Sequence, residues 1–184
     1  MTRRALIVID VQNDYFPGGK WELHGIETSA ANAARVLADA RAKQDVVVHV
    51  HHEFDGDDAP FFAPGSTGAE IHPSMQPQEG EATVLKHEVN AFLGTNLKEI
   101  LDAQGVTDVT IVGDMSHMCI DAAARAASDH GYAVTVVEDA CSSRDLDFNG
   151  EVISAPDVHK AYMSALGFAY SEIKTTDAYL AEAD

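Results

Sequence analysis

Positive charge is what this chain has least of. Lys and Arg together number 12 against 30 Asp and Glu, a formal charge of −18 over 184 residues. Nucleic acids and anionic membrane surfaces are held by positive potential, so neither is expected as a partner. Long apolar runs are missing too: none approaches the roughly 20 residues a membrane span needs. The run from Ala5 to Ile9 behind Arg3 and Arg4 is too short for the core of a secretory leader and has no small-residue cleavage site. It reads as a first strand, and the expected location is cytoplasmic. Cysteine is nearly absent. Cys119 and Cys141 cannot build a disulfide framework for a chain of this size, and they fall short of a structural zinc site. Two free thiols suit a reducing compartment and leave one open to chemical use. There is no glycine-rich phosphate loop of either usual type, so no organic cofactor is expected.

What is present alternates between strand and helix. Hydrophobic residues make up 46 % of the chain, and the length suits one compact domain, residues 1–184. Ala5 to Ile9 is a continuous β-branched run, the mark of a strand buried on both faces. Thr28 and Ser29 are placed to cap a helix from about Ala30 to Lys43. Strands are predicted at Val46 to His51, Ala82 to Lys86, Val109 to Val112, Ala133 to Val137 and near Ser171 to Ile173. Helices are predicted around Leu97 to Leu101, from Cys119 to Ser128, and from Val158 to Leu166 behind Pro156. Glycines 105, 131 and 167 stop them. The stretch from Glu53 to Gly80 is long for a loop, and Phe61 and Phe62 within it favour an ordered excursion. The pattern predicts an α/β protein, a three-layer α/β/α sandwich on a six-stranded, mainly parallel sheet.

Reactive groups in such folds gather beyond the carboxyl ends of the strands. Three strand ends here carry them: Asp10, Lys86, and Cys119 at the start of the Ala-rich helix. Alone, each has an ordinary explanation as a turn residue, a solvated cation and a small buried hydrophobe. Together they form a device. A helix N-terminus and an ammonium both lower a thiol pKa, and a carboxylate can take the thiol proton and pass it to a leaving amine.

The segment Gly113-Asp-Met-Ser-His-Met-Cys119-Ile-Asp-Ala-Ala-Ala-Arg resembles the nucleophile motif of the isochorismatase-like cysteine hydrolases, the family of nicotinamidases and N-carbamoylsarcosine amidases. Ile9-Asp10-Val-Gln12-Asn-Asp-Tyr-Phe16 is similar to that family's first strand and loop, and Val84-Leu-Lys86-His-Glu-Val-Asn90 to the strand bearing its lysine. Ile71-His72-Pro73 matches a further recurrent element. The resemblance spans about residues 4 to 173 and implies a small amide as substrate. Cys119 would form a thioester, Asp10 would shuttle the proton, and Lys86 would stabilise the thiolate. It implies an oxyanion hole of the Met115 and Cys119 backbone N–H groups, a cis peptide between Asp114 and Met115, and a homodimer or homotetramer. A vinyl-ether hydrolase of the same fold, and a non-catalytic binding protein, are the competing functions.

Nicotinamidases bind a metal after the second strand. Here that stretch reads His49-Val-His51-His52-Glu53, with Asp55, Asp57 and Asp58 following. The Asp-x-His spacing is missing, so no metal site is expected. His49 is read as packing beside a helix, and His51 or His52 as lining the pocket or bonding to backbone. Substrate contacts are expected from Tyr15, Phe16, Trp21 and His117, with Phe61, Phe62 and Met118 nearby. Asn90 is read as a turn cap, Cys141 as structural, and Asp145 and Asp147 as solvated loop charges.

Overall fold

The computed structural model describes residues 3–56 and 58–182; Asp57 lies outside them. The sheet has six strands: β1 (Arg4–Ile9), β2 (Val46–His52), β3 (Ala82–Lys86), β4 (Asp108–Asp114), β5 (Ala133–Ser142) and β8 (Glu172–Lys174). Their order is β3-β2-β1-β4-β5-β8, and every pairing is parallel. β1 therefore lies inside the sheet with helices over both faces, which is why its sequence is apolar without alternation. Leu6 and Val8 face α1 (Ile26–Ala42) through Ala33, Val36, Leu37 and Ala40. Ala5, Ile7 and Ile9 face the opposite way, into a core with Leu97 and Leu101 of α2 (Leu97–Ala103), Ala123 and Ala127 of α3 (Asp121–Asp129), and Met163 and Leu166 of α4 (Ala155–Ala169). Three layers result, as the strand-helix alternation predicts.

Several local expectations need correction. α1 begins at Ile26, not Ala30, because Gly25 adopts a left-handed φ of 69° and serves as its cap. Thr28 and Ser29 lie inside the first turn, where the Ser29 hydroxyl donates to the Ile26 carbonyl. Cys119 does not open an α-helix. It sits in a π-helical turn, Ser116–Ile120, that leads into α3. Asp147 is not in a loop: it belongs to an antiparallel hairpin of β6 (Leu146–Phe148) and β7 (Glu151–Ile153). Asp145 caps α4 by accepting the Ala155 N–H at 2.7 Å. A short α5 (Thr176–Ala181) docks on the α1 side.

The excursion between β2 and β3 is pinned by the residues just after β1. The Gln12 amide donates to the Ala69 carbonyl at 2.7 Å, Asn13 donates to Thr67 at 2.7 Å, and Asp14 accepts the Phe62 N–H at 2.7 Å. These bonds let a long, partly buried segment satisfy its polar backbone. They also bring Phe61 and Phe62 back over the carboxyl end of the sheet.

Candidate active site

Asp10 follows β1 with φ 54°, a left-handed conformation that aspartate tolerates better than most residues. Its N–H still donates to the Val50 carbonyl at 2.9 Å, so the turn is fixed to β2. Lys86 ends β3 in direct register with His52 of β2. From this edge strand its side chain reaches inward across β2. Cys119 arrives from the other side. Gly113 lies opposite Ile9 in β4, with φ 116° and no space for a Cβ against the Ile9 carbonyl. Beyond it the Asp114-Met115 peptide is cis, and the π-helical turn follows.

These paths converge on one ammonium. Lys86 Nζ lies 2.8 Å from Asp10 Oδ2, 3.3 Å from Cys119 Sγ and 3.0 Å from His52 Nδ1. An ammonium only donates, and here it hydrogen-bonds Cys119 and His52 and forms an ion pair with Asp10. The side chains of Asp10 and Lys86 are fully buried. Burial alone would pull the Lys86 pKa down, but Asp10 and Cys119 outweigh it and the net shift is upward, so the lysine is charged.

The thiol behaves differently from the sequence expectation. Burial pushes the Cys119 pKa up, and the Asp10 charge adds to that; Lys86 opposes them without prevailing. The expectation rested on a helix N-terminus and a cation. The structure supplies the cation but also buries the sulfur. The direction of the shift favours the neutral thiol in the resting site. Asp114 is pushed up to about 7 by burial, with Asp10 adding to it against two hydrogen bonds from Ser142.

A cavity of about 220 Å³ opens onto this cluster. Asp10 and Cys119 lie at its floor, Tyr15, His52, Phe54, Phe61, Met115 and Met118 form its walls, and His87, Glu88 and Val89 border it. Of the four expected substrate contacts only Tyr15 lines it. Phe16 instead stacks on His72 at 3.6 Å between ring centroids. Trp21 is sandwiched between Phe61 and the Arg144 guanidinium. His117 turns away to hydrogen-bond Ser143 at 2.8 Å. Phe54, His87 and Glu88 were not singled out from the sequence; their only signal was closeness to the ends of β2 and β3.

His49 does more than pack against a helix, for its Nε2 lies 2.8 Å from Glu81. Among the described residues no group of three or more His, Cys, Asp or Glu side chains is disposed to hold a metal ion. Asn90 accepts the Phe92 N–H at 3.0 Å, as a turn cap does. Cys141 is buried, and its thiol donates to the Val137 carbonyl at 3.4 Å. Among the described residues no helix is long and apolar enough to cross a membrane.

A family model, the isochorismatase domain, matches residues 4–155. The chain is 46 % identical over 176 residues to YddQ, an isochorismatase family protein of Bacillus subtilis strain 168, covering 96 % of this chain and 98 % of that one. It is 31 % identical over 160 residues to maleamate amidohydrolase of Pseudomonas putida, covering 78 % of this chain and 74 % of the relative. Among solved structures it superposes on an isochorismatase-hydrolase homologue from Oleispira antarctica with TM-score 0.95 and 51 % identity, covering 98 % and 97 % of the two chains. N-carbamoylsarcosine amidase from Thermoplasma acidophilum follows the same fold at TM-score 0.81 and 26 % identity, covering 96 % and 98 %.

Proposed function

This chain belongs to the isochorismatase family of hydrolases, and from that premise we propose that it is a cysteine amidohydrolase, cleaving the C–N bond of a small amide through a thioester on Cys119. The observation that carries the reading is the buried Lys86 ammonium, 2.8 Å from Asp10 and 3.3 Å from Cys119 at the floor of a cavity. The amidohydrolases among its relatives support the amide as substrate class.

The raised thiol pKa shapes the mechanism. Attack begins from the neutral thiol: as the substrate carbonyl approaches, Asp10 takes the Cys119 proton and the developing thiolate is stabilised by Lys86. Sulfur adds to the carbonyl carbon, and the oxyanion is received by the backbone N–H groups of Met115 and Cys119. Asp10 returns the proton to the amide nitrogen, the C–N bond breaks and the amine leaves. Water then gives a proton to Asp10 and attacks the thioester; the acid departs and sulfur recovers its proton. One amide and one water yield one acid and one amine.

The test is ammonia release from a panel of primary amides and carbamoyl compounds, with Cys119→Ala in parallel. Release by the wild type and a loss of at least roughly 1000-fold in the variant is expected. Full release by a folded Cys119→Ala protein would rule out the thioester and return the site to acid chemistry at Asp10.

A further inference from the structure

His52 is held in one protonation state and one orientation. Its Nδ1 faces the Lys86 ammonium at 3.0 Å. That group can only donate, so Nδ1 presents its lone pair and the neutral ring carries its proton on Nε2. Burial, and then the Lys86 charge, push the His52 pKa down to about 4, which keeps the ring neutral near pH 7. The ring cannot easily turn. Phe54 meets it edge-on at 4.4 Å, and Gln12 grips the His52 backbone by accepting its N–H and donating to its carbonyl, both at 2.8 Å.

The proton on Nε2 has nowhere satisfactory to go. His52 is 5 % exposed, and its Nε2 is buried with no hydrogen-bond partner among the described residues. The Glu88 carbonyl pulls weakly on the ring without reaching hydrogen-bond geometry. Buried nitrogens of His49 and His51 also lack partners, but of these three rings only that of His52 lines the Cys119 cavity. A buried donor left open is costly unless something fills it, and here the ring that carries it lines the Cys119 cavity.

We propose that His52 selects the substrate: its Nε2–H donates to a second carbonyl-type oxygen, oxo or carboxylate, so the amides cleaved are those bearing such an oxygen besides the scissile one. The proposal rests on the amidohydrolase reading above. It differs from a role in seating Lys86, which uses the other ring nitrogen. A site built to donate to a substrate oxygen discriminates against the analogue that lacks it, because the donor is then left unpaired.

Two matched pairs of primary amides test this: 3-oxobutanamide with 3-methylbutanamide, and succinamate with 4-methylpentanamide. In at least one pair the wild type should favour the oxygen-bearing member by roughly tenfold or more in kcat/KM. His52→Asn keeps an acceptor where Nδ1 stood and removes the outer donor, so the ratio should collapse to within about twofold. His52→Gln places an amide N–H nearer the lost one and should keep more of the ratio than Asn does. A wild-type ratio near one in both pairs, or a His52→Asn protein slowed equally on both members, would overturn the proposal. If the wild type releases no ammonia at all, the amidohydrolase reading fails, and the ¹⁵N resonance of His52 Nε2 in Cys119→Ala decides the binding role separately. A shift on adding 3-oxobutanamide or succinamate, absent with their partners, sustains it; no shift with any of the four ends it.

Discussion

Two ion clusters flank one pair of strands, and they use similar residues to opposite ends. Just before β3, Glu81 meets His49 of β2 and Arg41 of α1. At the last residue of β3, Lys86 meets His52 of β2 and Asp10 beyond β1. The Glu81 carboxylate takes part in four polar contacts. It accepts from Arg41 at 2.6 and 2.8 Å, from the Gln78 N–H at 2.8 Å and from His49 at 2.8 Å. The cluster fastens α1 to the sheet edge. At the second cluster the cation is ringed by three groups that are themselves incompletely paired. The thiol and the outer nitrogen of His52 face a cavity. The first cluster ties two elements together; the second leaves a thiol and a ring nitrogen on a cavity, and that is what makes it a site.

The sharpest way to break this comparison is Lys86→Met. It leaves Asp10 as an unpaired buried carboxylate and should cost about 3–5 kcal/mol of stability together with at least roughly 1000-fold in activity. A melt unchanged from wild type would show that the ion pair holds nothing in place. Glu81→Gln should act on stability alone. Arg41, the largest cause, holds Glu81 at about 2, well below the usual carboxylate range. Because the folded value is depressed, the stabilisation is complete above the unfolded value of roughly 4.3 and is lost as pH falls toward 2. The variant should therefore lose on the order of 2 kcal/mol at pH 7 and progressively less below pH 4, while kcat/KM stays within about twofold. Equal destabilisation at pH 7 and pH 2.5 would contradict it. The smallest effect is on the resting thiol. Iodoacetamide should modify Cys119 slowly at neutral pH, its rate rising only above the pH where free cysteine responds, about 8.5. Rapid labelling at pH 6 would mean that Lys86 prevails over burial and Asp10.

Much of this was legible in the sequence. Asp10, Lys86 and Cys119 each end a strongly apolar strand or its following turn, so a parallel sheet had to bring them to one edge. The walls of the cavity were not legible, because the chain pinned by Gln12 and Asp14 decides which aromatics face inward. Phe61 lines the cavity while Phe16, closer in sequence to Asp10, stacks on His72. The sequence places a cation near sulfur but says nothing of the burial that pushes the thiol pKa up. The β6–β7 hairpin had a signal that went unread, Asn149-Gly150 between short apolar stretches, and both residues adopt positive φ, 56° and 81°. α5 is only six residues long and is fixed by Thr176 donating to Asp139 at 2.7 Å, a contact across 37 residues that no local pattern announces.

The Lys86 ammonium sits on the edge strand β3, and its three acceptors belong to β2, to the end of β1 and to the turn after β4. These are four neighbouring strands drawn from residues more than a hundred positions apart. A chain in which any of them is undocked offers that charge no complete shelter, so a half-assembled sheet has no working centre. Recovery of turnover during refolding should therefore lag behind recovery of secondary structure, and titrating the site counts molecules in which these four strands have come together.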